Sequence, residues 1–241
     1  SAILEYSEAA LQKVREDRLL IDQADQWLYE EIQPYVGRRV LEIGCGLGNF
    51  ARHFTDRDLY VGVETSADSV ASMRQTFKGH PHVRSLVADA TDPGFPALVG
   101  SDFDTVFSLN VFEHIDDHQL ALRHAVQVLQ PGGHMILVVP AHQWLYGSLD
   151  RSIGHYRRYD KRWLSALYDE ARLVTVRQKY INAMGALGWL VNGRLGRQET
   201  PPAGQLRLLN ILIPFLKRAE RLLPPPFGIS VLAVGRKPAK G

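Results

Sequence analysis

The feature that most constrains the fold is a glycine-rich loop that follows directly on a short apolar strand. The strand is predicted at Arg39–Ile43, and glycine then occupies every second position, at Gly44, Gly46 and Gly48. Glycine allows positive φ angles and lets the backbone approach a ligand closely. We expect a helix to leave the loop, with its N-terminal amides facing that ligand. By itself, the loop predicts a nucleotide-like ligand.

Acidic side chains around the loop indicate which kind of nucleotide it binds. Glu42 precedes the first glycine by two residues, where its carboxylate would repel a pyrophosphate and suit an ammonium group, directly or through water. A dinucleotide fingerprint has its third glycine where this chain has Asn49. Glu64 ends the second predicted strand and can accept both ribose hydroxyls, as in NAD enzymes. Asp89 follows the third strand and can accept an adenine amino group, with the Ala90 amide facing a ring nitrogen.

Strands and helices alternate along the chain, which predicts a parallel, doubly wound α/β sheet. Predicted strands cover 39–43, 59–64, 83–88, 103–109, 134–139, 173–181 and 229–235. Predicted helices cover 8–36, 67–78, 117–129 and 161–171, and Ser66 is the expected N-cap of the second. Pro131, Gly132 and Gly133 are expected to form a turn before the fifth strand. A last antiparallel strand would fit a mixed sheet.

These segments resemble the motifs of class I S-adenosylmethionine-dependent methyltransferases, in their type 11/12 small-molecule branch. The resemblance rests on residues 42–48, Glu64, 89–90, 102–106 and 129–134, and covers about 30–181 in order and spacing. It implies a Rossmann-like seven-stranded mixed sheet, order 3-2-1-4-5-7-6, with helices on both faces. It also implies S-adenosylmethionine as cofactor, bound at the carboxyl ends of the strands. The expected cofactor-binding residues are Glu42, Gly44, Cys45, Gly46, Gly48, Asn49, Glu64, Thr65, Asp89, Ala90 and Asn110.

We expect one domain over residues 1–241. Its parts are an N-terminal helical cap (1–36), a cofactor-binding core (37–139), and an acceptor side made of the loop 140–160 and the helical insertion 185–226 before the last strand.

The segment after the fourth strand carries candidate catalytic residues. If it is helical, Asn110, Glu113 and His114 share one face, and a similar Glu-His pair follows this strand in methyltransferases of ubiquinone biosynthesis. His114 is the candidate general base, since the ordinary histidine pKa of ~6.5 suits that role. His155 is the second catalytic candidate. Bracing the loop is the alternative role for Glu113 and His114, and no metal site is expected.

The loop 140–160 is rich in aromatic and basic residues and leaves the fifth strand, so we expect it to cover the acceptor. Arg157 and Arg158 could hold a phosphate or carboxylate bidentately, or could be solvated arginines of a packed loop. The expected substrate-binding residues are His142, Trp144, Tyr146, Tyr156, Arg157, Arg158 and Tyr159.

The chain has a strong charge asymmetry. Residues 1–150 hold 11 Lys+Arg and 21 Asp+Glu, whereas residues 151–241 hold 17 and 5. Either the basic part faces an anionic partner, or the two parts pair with each other. Leu206, Leu209, Ile213 and Leu216 have helical spacing, and such an apolar helix is buried, forms an oligomer face or lies on a membrane. We expect a cap over the site, with membrane contact through 205–223 or a homodimer as alternatives.

The sequence thus predicts in-line methyl transfer from S-adenosylmethionine to a small or lipid-like, anionic acceptor, at oxygen first. The rivals are an NAD-type oxidoreductase and a non-catalytic binding module of the same fold. Nucleic acid is not an expected partner, since residues 110–113 lack the Pro-Pro-aromatic pattern of base-methylating enzymes. The single cysteine, Cys45, excludes an intramolecular disulfide and favours the cytoplasm.

Overall fold

The structure, a computed structural model, describes residues 23–191 and 203–239. Its strands are β1 Arg39–Ile43, β2 Leu59–Glu64, β3 Val83–Val87, β4 Phe103–Leu109, β5 Leu129–Pro140, β6 Val174–Ile181 and β7 Ser230–Arg236. Its helices are α1 23–32, α2 Ala67–Thr76, α3 Phe95–Val99, α4 His118–Val128, α5 Ser148–Ser152, α6 Lys161–Glu170, α7 Ala183–Trp189 and α8 Ala203–Leu222. Single 3-10 turns lie at Gln33–Tyr35, Ala51–His53, Phe112–His114 and Gln143–Leu145.

The strands form one sheet in the order β3-β2-β1-β4-β5-β7-β6, which confirms the expected Rossmann-like topology. Strands β1 to β5 pair in parallel, and β7 runs antiparallel to both β5 and β6. Ile43 of β1 pairs with Val63 of β2, and Glu64 pairs with Val87 of β3. This register brings the ends of the three strands to one edge of the sheet.

Two apolar clusters bury the two faces of the sheet. On one face, Leu41, Val106 and Leu137 pack with residues of α4 and α6 such as Leu122 and Leu164. The other face packs against α1, α2 and α8. Its cluster includes Trp27, Ile32, Val40, Met73, Phe107, Ile136 and Ile213. The described part of the N-terminal segment is therefore a layer on the sheet.

The structure corrects the expected helix after the glycine loop. Residues 45–50 form turns, followed by the 3-10 turn Ala51–His53. Gly48 has a φ of 83°, in the left-handed region, which interrupts a right-handed α-helix at that point. The Gly48 amide donates to the Cys45 carbonyl, and the Ala51 amide donates to the Gly48 carbonyl.

Other sequence expectations differ at their boundaries. Ser66 is confirmed as the N-cap of α2, since its hydroxyl accepts the Ser69 amide at 3.3 Å. The expected turn at 131–133 lies within β5, which begins five residues early because the Gly132 amide donates to the Lys237 carbonyl. Of the expected helix 8–36, the part before residue 23 lies outside the described residues.

Ion pairs between the two parts of the chain neutralise some of the asymmetric charge. Lys179 of β6 contacts Glu31 at 2.6 Å, and Lys217 of α8 contacts Glu30 of α1 at 2.6 Å. Arg221 contacts the same Glu30 carboxylate at 3.2 Å. These contacts support the interpretation in which the parts pair with each other.

Helix α8 is buried on one side and exposed on the other. Ile213 is buried against the sheet, and the Glu220 carboxylate accepts the amides of Asn182 and Ala183 at the start of α7. The outward side carries apolar residues that are more than half exposed: Leu208, Ile211, Phe215 and Leu222. The side chains of Leu206 and Leu209 lie outside the described residues. Within the described ranges, no helix is long and apolar enough to cross a membrane.

Candidate active site

A cleft of about 610 Å³ opens at the carboxyl ends of the parallel strands. This is where open α/β sheets bind their ligands. Residues from the ends of β1, β2, β3 and the segment after β4 line it: Ile43, Gly44, Val63, Glu64, Thr65, Ala88, Asp89, Ala90, Thr91, Val111, His114, Ile115, Asp116 and Asp117.

Gly44 shapes the floor of this cleft and tolerates no side chain. Its φ is 81°, and a Cβ added there would lie 2.3 Å from the Val111 side chain. The amides of Gly44 and Cys45 both donate to the Val63 carbonyl, at 2.8 and 3.0 Å. The glycine loop is therefore fixed to the end of β2 by backbone bonds.

Glu64 connects the end of β2 to the glycine loop. One carboxylate oxygen, Oε1, accepts the Thr65 amide at 2.7 Å and the Thr65 hydroxyl at 3.1 Å. The other, Oε2, accepts the Gly46 amide at 3.1 Å. These bonds hold an ionic acceptor at the cleft wall, within reach of a bound nucleoside.

Asp89 has a comparable position at the end of β3. Its Oδ1 accepts both the amide and the hydroxyl of Thr91, at 2.8 and 2.7 Å. Ala90 is buried beside it, and its carbonyl contacts the His124 ring at 2.8 Å. The Asp89 carboxylate is thus oriented at the wall of the cleft.

Glu42 lies elsewhere than the sequence suggested. It is 3% exposed, does not line the cleft, and accepts a hydrogen bond from the Tyr60 hydroxyl. Burial, with repulsion from Asp25 and Glu64, raises the pKa of its carboxyl well above the ordinary value. A buried carboxyl that does not line the cleft cannot serve as the expected partner of an ammonium group, because it has no access to a ligand there.

The remaining expected cofactor residues are less directly placed. Cys45 is buried, and burial raises the pKa of its thiol to about 12. Gly48 packs against Met73, and Asn49 is exposed beyond the loop. Asn110 is exposed with a φ of 54° at the end of β4. Of this group, none is among the residues that line the cleft.

Glu113 and His114 lie in the 3-10 turn after β4 and differ in their exposure to the cleft. His114 is exposed on the cleft wall, whereas Glu113 is fully buried, so of the two only His114 lines the cleft. Burial, and the neighbouring His155, lower the pKa of the His114 ring. Burial raises the pKa of the Glu113 carboxyl to about 8. His114 is therefore available as a neutral imidazole near pH 7.

Asp150 organises the loop that follows β5. Its buried carboxylate accepts His155 Nδ1 at 2.8 Å, Arg158 Nε at 2.7 Å and Trp189 Nε1 at 3.1 Å. The Gly147 amide donates to it as well, at 3.0 Å. Burial alone would raise the pKa of this carboxyl, but the bonds from His155 and Arg158 hold it below the ordinary value.

The contacts of Arg157 and Arg158 give no support to the expectation that they bind an anionic acceptor. Arg158 is 1% exposed, is paired with Asp150 and donates to the Ala141 carbonyl at 3.1 Å. Arg157 donates to the carbonyls of Ile115 and Asp116, at 2.6 and 3.0 Å. Arg157 therefore holds the loop against the segment after β4, whereas Arg158 braces the loop internally, because a buried cation requires oxygen partners of the protein itself.

The other expected acceptor residues also lie off the cleft wall. Tyr159 is buried and hydrogen-bonded to the Phe112 carbonyl and to His118. His142 packs against the Tyr180 ring at 4.5 Å. The Tyr146 hydroxyl donates to the His155 carbonyl. Trp144 and Tyr156 are each more than half exposed.

Sequence reasoning missed three features of the site. Asp150 was not singled out, although an acid shortly before a Gly-His-x-Arg-Arg run could have indicated a partner for those basic residues. Asp116 and Asp117 line the cleft, and Asp117 also caps α4 by accepting the Leu120 amide at 2.9 Å. Thr91 was missed because its role is to orient Asp89.

The sheet order, with a cleft at the carboxyl ends of the parallel strands, is the fold of S-adenosylmethionine-dependent methyltransferases. The profile of the methyltransferase domain family matches residues 41–137. Over this part the chain is similar to class I S-adenosylmethionine-dependent methyltransferases.

Individual methyltransferases are similar to part of the chain. The chain is 30% identical to an uncharacterized methyltransferase of Mycobacterium bovis BCG over 133 residues, 55% of this chain and 51% of that protein. It is 33% identical to a ubiquinone biosynthesis O-methyltransferase of Bradyrhizobium over 112 residues, 45% and 42% of the two chains. The chain thus spans about half the length of the curated relatives it matches.

A solved structure shows the same fold at lower identity. The N-methyltransferase NodS of Bradyrhizobium japonicum, in complex with S-adenosyl-L-homocysteine, superposes with a TM-score of 0.58 at 16% identity. The superposition covers 91% of this chain and 88% of NodS.

Proposed function

We propose that this chain transfers a methyl group from S-adenosylmethionine to a hydroxyl oxygen of a small or lipid-like acceptor. The observation that carries the proposal is the shared cleft, which places Gly44, Glu64 and Asp89 on the same walls as His114. The match of residues 41–137 to the methyltransferase domain family supports the cofactor, and the position of His114 on the cleft wall supports the site of reaction.

The donor would lie across the ends of β1, β2 and β3. The glycine loop leaves room for the methionine part, the Glu64 carboxylate accepts the ribose hydroxyls, and Asp89 accepts the adenine amino group. Thr91 occupies Oδ1 of Asp89, which leaves Oδ2 for the base. The acids along the cleft also favour the positively charged sulfonium.

The acceptor would approach from the His114 side. A sulfonium is already an activated methyl donor, so the protein mainly has to align the acceptor oxygen with the methyl group. Such alignment can contribute roughly 7–11 kcal/mol to lowering the barrier. His114 is the residue of the cleft wall that can assist the acceptor hydroxyl in losing its proton.

The lining of the cleft bears on the charge of the acceptor. Four lining residues are acids, namely Glu64, Asp89, Asp116 and Asp117. Since Arg157 and Arg158 are engaged within the loop, they give no support to an anionic acceptor. Oxygen remains our choice of acceptor atom, supported by the relative named as an O-methyltransferase.

Turnover with a metabolite extract tests this proposal. The protein is incubated with S-adenosylmethionine and deproteinised aqueous and lipid extracts, and released S-adenosylhomocysteine is measured by mass spectrometry. We expect His114→Ala to lower turnover by about 10²–10⁴-fold while leaving the affinity for S-adenosylhomocysteine within about threefold. The exposed His82→Gln is the matched control. Binding without any turnover would favour the non-catalytic binding module.

We also propose that α8 contacts an anionic membrane surface. Leu208, Ile211, Phe215 and Leu222 are spaced so that they fall on one side of the helix, and all are more than half exposed. The exposed Arg218 lies near this side. An amphipathic helix with these properties lies in the interface of a bilayer. A homodimer through the same side is the competing outcome.

We also propose that the protein lies in the cytoplasm, because Cys45 is a buried free thiol.

A further inference from the structure

Three side chains beside the cleft bring atoms that can ligate a metal close to one another. Glu113, His114 and His155 each offer one ligand atom, and these atoms all lie within 4.8 Å of one another. Glu113 and His114 come from the turn after β4, and His155 comes from the loop after α5. The Tyr156 amide donates to the Glu113 carbonyl at 2.8 Å, which fixes the loop against the turn.

Hydrogen bonds fix which nitrogen of each imidazole is free. His155 Nδ1 lies 2.8 Å from the Asp150 carboxylate, and His114 Nδ1 lies 3.2 Å from the Gly154 carbonyl. Both oxygens can only accept, so each Nδ1 carries the hydrogen and each Nε2 carries a lone pair in the neutral ring. Metal-binding histidines in proteins have this outer arrangement, with the second nitrogen donating to a carboxylate or a carbonyl.

The third group is a buried carboxyl without hydrogen bonds. Glu113 is fully buried, and neither of its side-chain oxygens has a hydrogen-bond partner among the described residues. Its Oε1 lies 3.7 Å from His155 Nε2. A buried polar group without a partner costs free energy and calls for an explanation. A cation between the carboxylate and the two imidazoles would satisfy all three groups at once.

We propose that Glu113, His114 and His155 bind a divalent ion of the zinc class. Two imidazole nitrogens and one carboxylate favour zinc and similar transition metals over magnesium, which prefers oxygen ligands and water. Ligands bound at about 2 Å in a tetrahedral site are about 3.3 Å apart, so ligand atoms that now lie within 4.8 Å of one another need to approach by at most about 1.5 Å. The sequence did not indicate this site because His155 is far from the Glu-His pair along the chain.

Three protein ligands leave one coordination position open, the pattern of catalytic zinc. His114 lines the cleft, so that position faces the acceptor. This role rests on the proposed function, whereas ion binding itself does not. With the ion bound, His114 acts as a ligand and no longer as the base, so an acceptor hydroxyl bound to the ion loses its proton to solvent, and its oxygen then forms the bond to the methyl carbon. The bond from that carbon to sulfur breaks, and its electron pair stays on sulfur.

Metal content and cobalt spectroscopy of the full chain test the site. The protein purified without chelators is analysed by elemental mass spectrometry, and the metal-stripped protein is titrated with Zn²⁺, Co²⁺ and Mg²⁺. We expect one equivalent of zinc per chain and the visible absorption bands of tetrahedral Co²⁺. Glu113→Gln and the exposed His114→Ala should each weaken Co²⁺ binding by more than about 100-fold, since even outer residues contribute about 10–100-fold. His82→Gln should bind as the wild type does.

The outcomes separate this site from the proposed function. A folded wild-type protein that binds S-adenosylhomocysteine but neither zinc nor cobalt overturns the metal site and leaves methyl transfer standing. Binding of magnesium alone, or unchanged cobalt binding in both variants, also overturns it. Cobalt binding lost in the variants, in a protein that binds no S-adenosylhomocysteine, supports the metal site and overturns the proposed function.

Discussion

At the scale of single residues, the buried carboxyl of Glu42 makes the stability of the fold depend on pH. Burial, with Asp25 and Glu64 nearby, raises the pKa of its carboxyl well above the unfolded value of about 4.3. Folding therefore favours the protonated form of Glu42. The stability that this proton provides is fully present below the unfolded pKa and is lost as the pH rises through the folded pKa.

Replacing Glu42 by glutamine should therefore stabilise the ligand-free protein at neutral pH. A glutamine side chain at this position keeps an acceptor for the Tyr60 hydroxyl but removes the cost of burying the acid, which grows by about 1.4 kcal/mol for each pH unit above the unfolded pKa. Thermal unfolding should show that Glu42→Gln melts like the wild type near pH 4 and at higher temperature near pH 7. The exposed Glu170→Gln is the control. A difference in melting temperature independent of pH would contradict this account.

A second residue-scale prediction concerns Asp150. The variant Asp150→Asn leaves Arg158 buried without its carboxylate, and removing one member of a buried ion pair typically costs about 3–5 kcal/mol. Denaturant unfolding should show a loss of this size. Asp169→Asn, at an exposed position of α6, should change the free energy of unfolding by less than about 0.5 kcal/mol. Equal effects of the two changes would mean that the Asp150 pair does not hold the loop.

At the scale of elements, the pattern of apolar residues predicted the strands better than the short helices and loops that connect them. β1, β2 and β4 have the predicted boundaries, because a buried parallel strand is a short apolar run between polar residues. The five-residue helices α3 and α5 escaped prediction, since one turn and a half shows no clear periodicity. The helix expected after the glycine loop failed at Gly48, whose positive φ is visible only in three dimensions.

Helix α8 carries the element-scale prediction. Ile211→Glu and Phe215→Glu place a charge on its outward side, where burial in lipid would be unfavourable, and neither residue belongs to the buried cluster. Co-sedimentation with vesicles rich in phosphatidylglycerol should fall at least about fivefold in both variants. Val174→Glu, at an exposed apolar position at the start of β6, is the matched control.

The same variants distinguish a membrane contact from a dimer. Light scattering of the wild-type chain without lipid should give a monomer mass. A dimer that both variants dissociate, together with vesicle binding that they leave unchanged, would assign the outward side of α8 to self-association.

At the scale of the whole molecule, the sequence predicted best the residues whose positions follow from the order and ends of the strands. The glycine loop, Glu64 and Asp89 follow three parallel strands, and the register of the sheet brings their ends together at one cleft. The contacts of the loop after β5 were harder to predict because its side chains meet through long-range contacts. Arg158, Asp150 and His155 form their network only when the loop after β5 folds back, so a basic pair that suggested ligand binding became an internal brace.

The central claim is that the cleft between the glycine loop, Glu64 and Asp89 binds S-adenosylmethionine. Isothermal titration of the wild type with S-adenosylhomocysteine, alongside Glu64→Ala and NAD, tests it most directly. The account predicts one site with a micromolar dissociation constant, weakened by roughly 1–3 kcal/mol in the variant, the scale of a hydrogen-bonded charged partner, and no binding of NAD. Binding of NAD in place of S-adenosylhomocysteine, or an affinity unchanged by Glu64→Ala, would contradict it.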